Sequence, residues 1–570
     1  MKIRGLLPRS IVIFALLIFF VQFGAAAEPR VLIDGKLDDW TTRSSLWSST
    51  ASTSGGNVTL QEVKAFNDNT FLFIYFKTAE IFSLQEDFSL KLYIDTDNNS
   101  ATGLALDTMG ADIEFDFGSR AGVLHGSTDS DLSFSNLFMV TAPTVWSDKY
   151  EISIRKNFTN AAGDTVLVMT PKIKIKMKDD SVVSGGSETP ILNYTFDSYD
   201  LEPLPSYSIT KGSADHLRVV SHNVEFDGFF ETENFEIYER LYSVINPDII
   251  GFSEIYNHSD EQLCAQLEKI LPSSGGKSWN AAHIADNFIA TRYSILGAYS
   301  CGGYGNGAFY IDMRPDYNSN ALVIVAHPPC CAGNDDARSD EIDAIAAFIR
   351  DAKNAGGDLT IPSETPIIIL GDMNLVGNPH QWETLLTGNI DNEVTFGADF
   401  FPDWDKSNFE DALPYVTNLP MAFTQGVGTN PGKYSKGRLD VTIYSGSVLD
   451  LHNSFILYTN ALSASELASL GLQKNDTEAA SDHFPLVSDF TVKAQQDLSI
   501  ADLRYNNSEG ISTHLDNVVT VGGTVTVANE FGTAGPAYIQ DDQAGIAVYG
   551  ADLVSQLSPG DNITITSKIG

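Results

Sequence analysis

The stretch Pro366-Ile-Ile-Ile-Leu-Gly-Asp-Met-Asn374 constrains this chain more than any other. Four consecutive apolar residues, three of them β-branched, suit a strand covered on both faces. Gly371 then lets the backbone turn, and Asp372 and Asn374, two positions apart, can point to the same side. Carboxylates at the carboxyl ends of central strands are where α/β folds build their sites. A G-D-x-N by itself is also what a simple turn looks like, because Asx side chains bond back to their own backbone. Partners elsewhere in the chain decide between the two.

The chain has 570 residues, enough for several domains, and a formal net charge of −39. That charge excludes long-range attraction to nucleic acid or anionic lipid, so phosphate chemistry would need a metal ion or a local basic patch. Lys2, Arg4 and Arg9 precede an apolar run from Ile11 to Phe23, and Ala25, Ala26 and Ala27 supply a cleavage site. Residues 1–27 therefore read as a secretory signal peptide, and no later stretch is long enough to span a membrane. A secreted, extracellular protein is expected, free or held at a bacterial surface, without stable membrane insertion. An oxidising compartment permits two disulfides among Cys264, Cys301, Cys330 and Cys331; three pairings stay open, and a bridge between adjacent Cys330 and Cys331 is not expected.

Residues 28–195 alternate apolar and polar positions, as in Phe71–Phe76, Leu90–Ile94 and Tyr150–Ile154, between Asx, Gly and Ser turns. The pattern predicts an all-β sandwich. Its opening Ile33-Asp-Gly-Lys-Leu-Asp-Asp-Trp40, with Tyr93-Ile-Asp-Thr-Asp-Asn-Asn-Ser-Ala-Thr-Gly103 and Gly110-Ala-Asp-Ile-Glu114, resembles the sugar-binding sandwiches of the carbohydrate-binding family 9 type. The resemblance implies glycan binding and a Ca²⁺ site at Asp95, Asp97 and Asn99, with an ion-free Asx loop as the alternative. Trp40, Trp47 and Trp146 are sugar-stacking or core residues. A linker is expected over 196–214, with Pro203 and Pro205.

From 215 to 493 strands alternate with helical spacing, which predicts an α/β domain. Strands are expected at Leu217–Asn223, Asp248–Glu254, Ala321–Ala326 and the opening stretch, and helices at Asn234–Val244 and Asp340–Lys353. The strand ends carry one narrow set of side chains: Asn223 and Glu225, Glu254, His327, Asp372 and Asn374, Asp440, Asp482 and His483. Such a set has the parts for cleaving a phosphate ester. Glu254, with Asn223 or Glu225, offers hard oxygens to Mg²⁺ or Mn²⁺. His483, oriented by Asp440, can take a proton from water. Asp372 and Asn374 would align water and phosphorus, and His327 would donate to a phosphate oxygen or the leaving group.

The order N-x-E, S-E, H-x-P, G-D-x-N, R-L-D, S-D-H-x-P resembles the endonuclease/exonuclease/phosphatase superfamily over nearly all of 215–493. The resemblance implies two packed β-sheets flanked by helices. It also implies Asn223, Glu254 and Asp482 at the metal, with Glu225 a further candidate, and catalysis by His327, Asp372, Asn374, Asp440 and His483. Ile289-Ala-Thr-Arg-Tyr-Ser-Ile295 resembles that family's S-R-Y-P-I strand, with Ser294 in place of proline. DNase I-like members place near it a glutamate that holds the histidine matching His327; Thr291 and Arg292 stand there instead.

Residues 497–570 return to β alternation, and from Ile500 to Gly570 resemble an OB-like module of secreted bacterial nucleases. The segment stops before a five-stranded barrel closes, which suggests a piece of a longer reading frame or a tail that pairs elsewhere. The expectation is a secreted Mg²⁺-dependent phosphoesterase in which His483-activated water attacks a phosphate held by the metal, acting on nucleic acid. Lys277, Arg292, Arg338, Lys433, Lys436 and Arg438 are expected to form a positive rim, with Arg292 and Arg338 contacting phosphate. The alternatives are a phosphatase or phospholipase C-type enzyme on small or lipid phosphoesters, and a non-catalytic glycan-binding adhesin.

Overall fold

The computed structural model describes residues 27–570, apart from 51–57, 160–164, 181–186, 274–275, 355, 427–431, 494–497, 506–511, 513, 516–517 and 533. Apart from Ala27, the expected signal peptide lies outside the described residues. No helix among them is long and apolar enough to cross a membrane.

The amino-terminal part is a sandwich of a five-stranded and a six-stranded antiparallel sheet. Ile74, Phe76, Leu92, Ile94, Phe115, Ile152 and Ile175 fill the space between them. Phe71–Phe76 is buried at every position, which period-2 alternation does not predict. The reason is a second packed face. Phe66, Phe71, Phe73 and Tyr75, on the outer side of that sheet, pack against Met421, Phe423, Ile456 and Phe484 of the central part.

The central part has two sheets packed face to face. The seven-stranded one has Leu217–Asn223 at its middle, parallel to Ile249–Ser253 on one side and antiparallel to Leu486–Val492 on the other. The six-stranded one pairs Ile367–Asp372 in parallel with Asn320–Val325 and antiparallel with Asp440–Tyr444. Val219, Ile249, Phe309, Val323, Ile368, Leu370 and Phe490 fill the space between the sheets. Helices Phe235–Ile245 and Asp260–Ile270 cover the outside of the first sheet through Leu241, Tyr242, Leu263 and Leu267. Helix Asp335–Ala352 covers the second through Ile342, Ile345 and Ile349. It starts five residues before the expected Asp340.

Two expectations fail here. The stretch Ile289–Ile295 is two strands in different sheets, Asn287–Thr291 and Ser294–Ser300. The chain crosses between layers at Arg292 and Tyr293, where Arg292 N–H donates to Asp248 O and Tyr293 N–H to Thr291 Oγ1. Cys330 and Cys331 are bridged to each other, while Cys264 and Cys301 are free. Cys331 takes φ of 75°, so the two sulfurs meet on one side of the turn after His327.

The carboxyl-terminal part is a four-stranded antiparallel sheet in the order Gly545–Val548, Ala537–Gln540, Val518–Val527, Asn562–Lys568. Ile500, Val521, Val525 and Ile539 form its core. Among the described residues it is an open sheet rather than a closed barrel.

Candidate active site

Topology explains why six strand ends meet. Leu217–Asn223, Ile249–Ser253, Asn320–Val325 and Ile367–Asp372 finish at one edge of the two sheets. Asp440–Tyr444 and Leu486–Val492 run the other way and start there, so Asp440 lies opposite Asp372 in register. Gly371 makes the close approach possible. Its φ is 132°, and a Cβ there would stand 2.0 Å from Ala326 O.

Two histidines face Asp372 from either side. His483 Nδ1 lies 2.7 Å from Asp440 Oδ2, and its Nε2 lies 3.5 Å from Asp372 Oδ2. Burial disfavours a charged ring, but Asp440 and Asp372 outweigh it and hold His483 up at about 10. Asp440 is fully buried; its backbone N–H donates to Thr424 Oγ1, and its Oδ1 has no hydrogen-bond partner among the described residues. His327 Nε2 lies 3.7 Å from Asp372 Oδ2 and 3.8 Å from Glu254 Oε1. Burial again works against its charge, and Asp286 and Asp372 prevail, raising it to about 9.

Asp286 was not foreseen. It sits 2.8 Å from His327 Nδ1, in the turn between Asn280–Ile284 and Asn287–Thr291. The family resemblance placed this carboxylate near Thr291 and Arg292, but Thr291 pairs with Ile249 at the far end of the strand. Phe288 pairs with Phe252 at the site edge, so a carboxylate just before the strand reaches the histidine. The signal was an Asp-Asn turn preceding an antiparallel partner of the Glu254 strand. His327 is further fixed by its N–H, which donates to Asn306 Oδ1; Asn306 Nδ2 donates in turn to Glu341.

Asn223 Nδ2 bridges Glu254 Oε1 at 2.9 Å and Asp372 Oδ2 at 3.2 Å. Its Oδ1 accepts from Glu225 N–H. Asn374 N–H donates to Asp372 Oδ1, and Asn374 Nδ2 is spent on Pro328 O, which ties it to the His327 loop. Asp482 lies on the other flank, where its N–H donates to Glu225 Oε2. Burial, then Glu225, Glu254 and Asp372, push its carboxyl up to about 6 against the pull of His483.

The structure thus gathers Asn223, Glu254, His327, Asp372, Asn374, Asp440, Asp482 and His483, with Glu225 beside them. Carboxylates raise the two histidines against their burial, whereas burial is the larger cause at Asp482 and neighbouring carboxylates add to it. The donors are hard oxygens, which suits Mg²⁺ or Mn²⁺. Asn223 offers its amide nitrogen to the two carboxylates; turning the amide over would offer oxygen instead.

Other expected positions differ. Arg338 is no rim residue: it is fully buried and bonds Pro329 O, Asp335 and Gln381. Arg292 stacks on Trp279 with its Cζ 4.1 Å from the ring centroid, at the end of its strand away from the site. Lys277 pairs with Asp316 and Arg438 with Asp411. Their guanidinium and ammonium groups are occupied by protein acceptors, so neither arginine is placed to contact phosphate. In the sandwich, Asp95 and Asp97 come together with Asp112, within 4.8 Å of one another, and Asn99 N–H donates to both Asp95 Oδ1 and Asp97 Oδ1. Asn99 Oδ1 accepts from Ala101 N–H, while Lys174 pairs with Asp95 at 3.0 Å. Trp40 is core and donates to Glu151, and Trp146 lines the seam beside Trp382.

No protein-family model and no curated protein matches the chain in sequence. Solved structures do match in part. The human Nocturnin catalytic domain with bound sulfate aligns at 13% identity over 49% of this chain and 95% of that one, with a TM-score of 0.32. An endonuclease/exonuclease/phosphatase family protein from Leptotrichia buccalis aligns at 13% identity over 48% of this chain and 99% of that one, with a TM-score of 0.31. Sphingomyelinase C from Streptomyces griseocarneus aligns at 12% identity over 48% of this chain and 99% of that one, with a TM-score of 0.28.

Proposed function

We propose that the protein is a secreted, divalent-metal-dependent hydrolase of phosphodiester bonds, acting on nucleic acid. The observation that carries this is the pair of histidines flanking Asp372, each backed by its own buried or half-buried carboxylate. His483 Nε2 would be the base that takes a proton from water once a bound cation offsets the carboxylate charge that otherwise keeps the ring protonated, with Asp440 fixing the ring through Nδ1. His327 is held charged by Asp286 and donates to a phosphate oxygen or the leaving group. Asp372 stands between the two rings and orients the water, and Asn374 keeps the His327 loop in place. Glu254, Asp482 and Asn223, with Glu225, would hold Mg²⁺ or Mn²⁺, which supplies the positive charge that phosphate oxygens and this carboxylate-rich site require.

One surface favours nucleic acid over a small ester. Phe226 and Tyr256 are 72% and 49% exposed and stack with centroids 6.0 Å apart. Hydrogen bonds hold the loop that presents them. Glu225, Phe226 and Asp227 all have positive φ, and Phe226 N–H donates to Glu254 Oε2 while Tyr256 N–H donates to Asp227 Oδ1. Ordered aromatic faces beside a phosphate site suit the stacking of unpaired bases. Small or lipid phosphoesters are the second reading.

Incubation of the chain with single-stranded DNA, RNA, sphingomyelin and inositol phosphates, in Mg²⁺ or EDTA, tests the proposal. Cleavage of nucleic acid in Mg²⁺ alone is expected. Turnover confined to lipid or small esters would overturn the substrate, and no turnover at all would return the adhesin reading.

A further inference from the structure

A cavity of about 640 Å³ adjoins the acidic flank of the site, where Glu225 and Asp482 form part of its wall. Ser135 and Phe138 of the sandwich form another part, and Lys433 and Lys436 a third. Lys436 is 4% exposed, yet its ammonium makes no hydrogen bond or ion pair with any described residue. It lies instead among four rings, with centroids at 5.4 Å for Phe138, 5.2 Å for Phe423, 5.4 Å for Tyr458 and 5.8 Å for Phe484. Rings stabilise a cation but accept none of its N–H groups in the way an oxygen does.

A second cation lies on the same ring. Arg155, from the sandwich, stands with its Cζ 4.3 Å from the Phe138 centroid, and its Nε is buried without a hydrogen-bond partner. Burial lowers both groups, Lys436 to about 8, and Arg155 pushes Lys436 further in that direction. The carboxylate that acts on Lys436 from across the rings is Glu478, whose oxygens accept from Tyr458 Oη at 2.7 Å and Asn460 Nδ2 at 2.5 Å and make no ion pair with it. A buried lysine and a partly buried arginine from two parts of the chain thus converge on one ring, with no hydrogen bond from either cation to a described residue. In a protein of net charge −39, with carboxylates in surplus, that arrangement is costly unless an anion fills it.

We propose that this cavity is an anion subsite for a second phosphate group of the substrate, adjacent to the one being cut, with Lys436 as its principal ligand. It rests on the phosphoesterase reading for the word substrate, but not for the binding itself. Glu225 and Asp482 are the anionic part of the lining, so the phosphate belongs beside Lys436 and Phe138. The sandwich is then part of the substrate site, since Phe138 positions the ammonium.

The test reads binding without turnover. The full chain, in EDTA and again in Mg²⁺, is acylated at lysine with and without inorganic phosphate or dimethyl phosphate, and each lysine is followed by mass spectrometry. Lys436 should be protected about fivefold or more. Lys353, also lowered to about 8 but bonded to Phe401, Pro402 and Asp403 carbonyls, should not change. Protection by phosphate alone identifies a terminal monoester, and protection by both an internucleotide link. Calorimetry on the same chain should show phosphate binding that Lys436→Met weakens at least tenfold, with a thermal melt confirming that the variant folds. Unchanged acylation together with no calorimetric binding by the unaltered chain overturns the subsite, as does undiminished binding in folded Lys436→Met. If phosphate protects Lys436 but no phosphoester is cleaved, the functional reading fails and the anion site stands; cleavage without protection has the opposite meaning.

Discussion

At the scale of single residues, the proposed chemistry relies on two carboxylates that reach no further than the rings they hold. Asp440 and Asp286 act through the rings they hold, so they are positioning residues. Replacing Asp286 with Asn keeps a hydrogen-bond partner for His327 Nδ1 but removes the charge that keeps the ring protonated. Asp286→Asn should therefore lower kcat by about 10²-fold with little change in KM, and the loss should grow as pH rises. The sign follows from the raised value of His327: its protonated form persists up to about 9 with Asp286 present, and is lost earlier without it. A pH–rate profile of Asp286→Asn against the unaltered chain checks this; an unchanged profile would place Asp286 outside the mechanism.

At the scale of elements, a buried fork ties two neighbouring strands of the seven-stranded sheet to the helix that covers them. Arg218 Nε and Nη2 lie 2.6 and 2.7 Å from Asp489, joining Leu217–Asn223 to Leu486–Val492, while Nη1 donates to Ile209 O and Ile245 O. Both residues are almost fully buried. Arg218→Met leaves Asp489 uncompensated and should destabilise the central part by about 3–5 kcal/mol, read by urea unfolding. A loss below about 1 kcal/mol would contradict it. Much at this scale was legible beforehand. Apolar runs gave the core strands, and the chemistry at their ends gave His483, Asp440, Asp372 and Glu254, because strand ends of a layered fold share an edge. What was not legible needed register. Asp286 was sought at the wrong end of its strand, the break at Arg292 looked like continuous strand, and the outer burial of Phe71–Phe76 has no signature distinct from an inner one. Arg338 and Arg292 looked like free cations because sequence does not show the carbonyls, Asp335 and Trp279 that occupy them.

At the scale of the whole molecule, the sandwich and the central part are packed together rather than strung on a linker. Tyr415 Oη donates to Asp34 at 2.5 Å across the seam, and Asp39 and Glu151 lie beside it. Asp39 accepts from Leu32 N–H through Oδ2, but its Oδ1 is buried without a hydrogen-bond partner. Burial, reinforced by Asp34, pushes its carboxyl up to about 6. A carboxyl raised on folding contributes stability that is present below its unfolded value of 3.8 and is lost as pH rises through about 6. The Tm of the unaltered chain relative to Asp39→Asn should therefore fall between pH 4 and pH 7. A difference that stays flat, or widens in favour of the unaltered chain, would contradict the seam's electrostatics.

The whole account turns on His483 as the base of a phosphodiester hydrolysis. The most direct measurement is the single-turnover rate on a short single-stranded oligonucleotide in Mg²⁺, for the unaltered chain and for His483→Ala, with circular dichroism to show that both are folded. The account predicts measurable cleavage that His483→Ala reduces by about 10³-fold or more. Cleavage at a comparable rate by folded His483→Ala would contradict it.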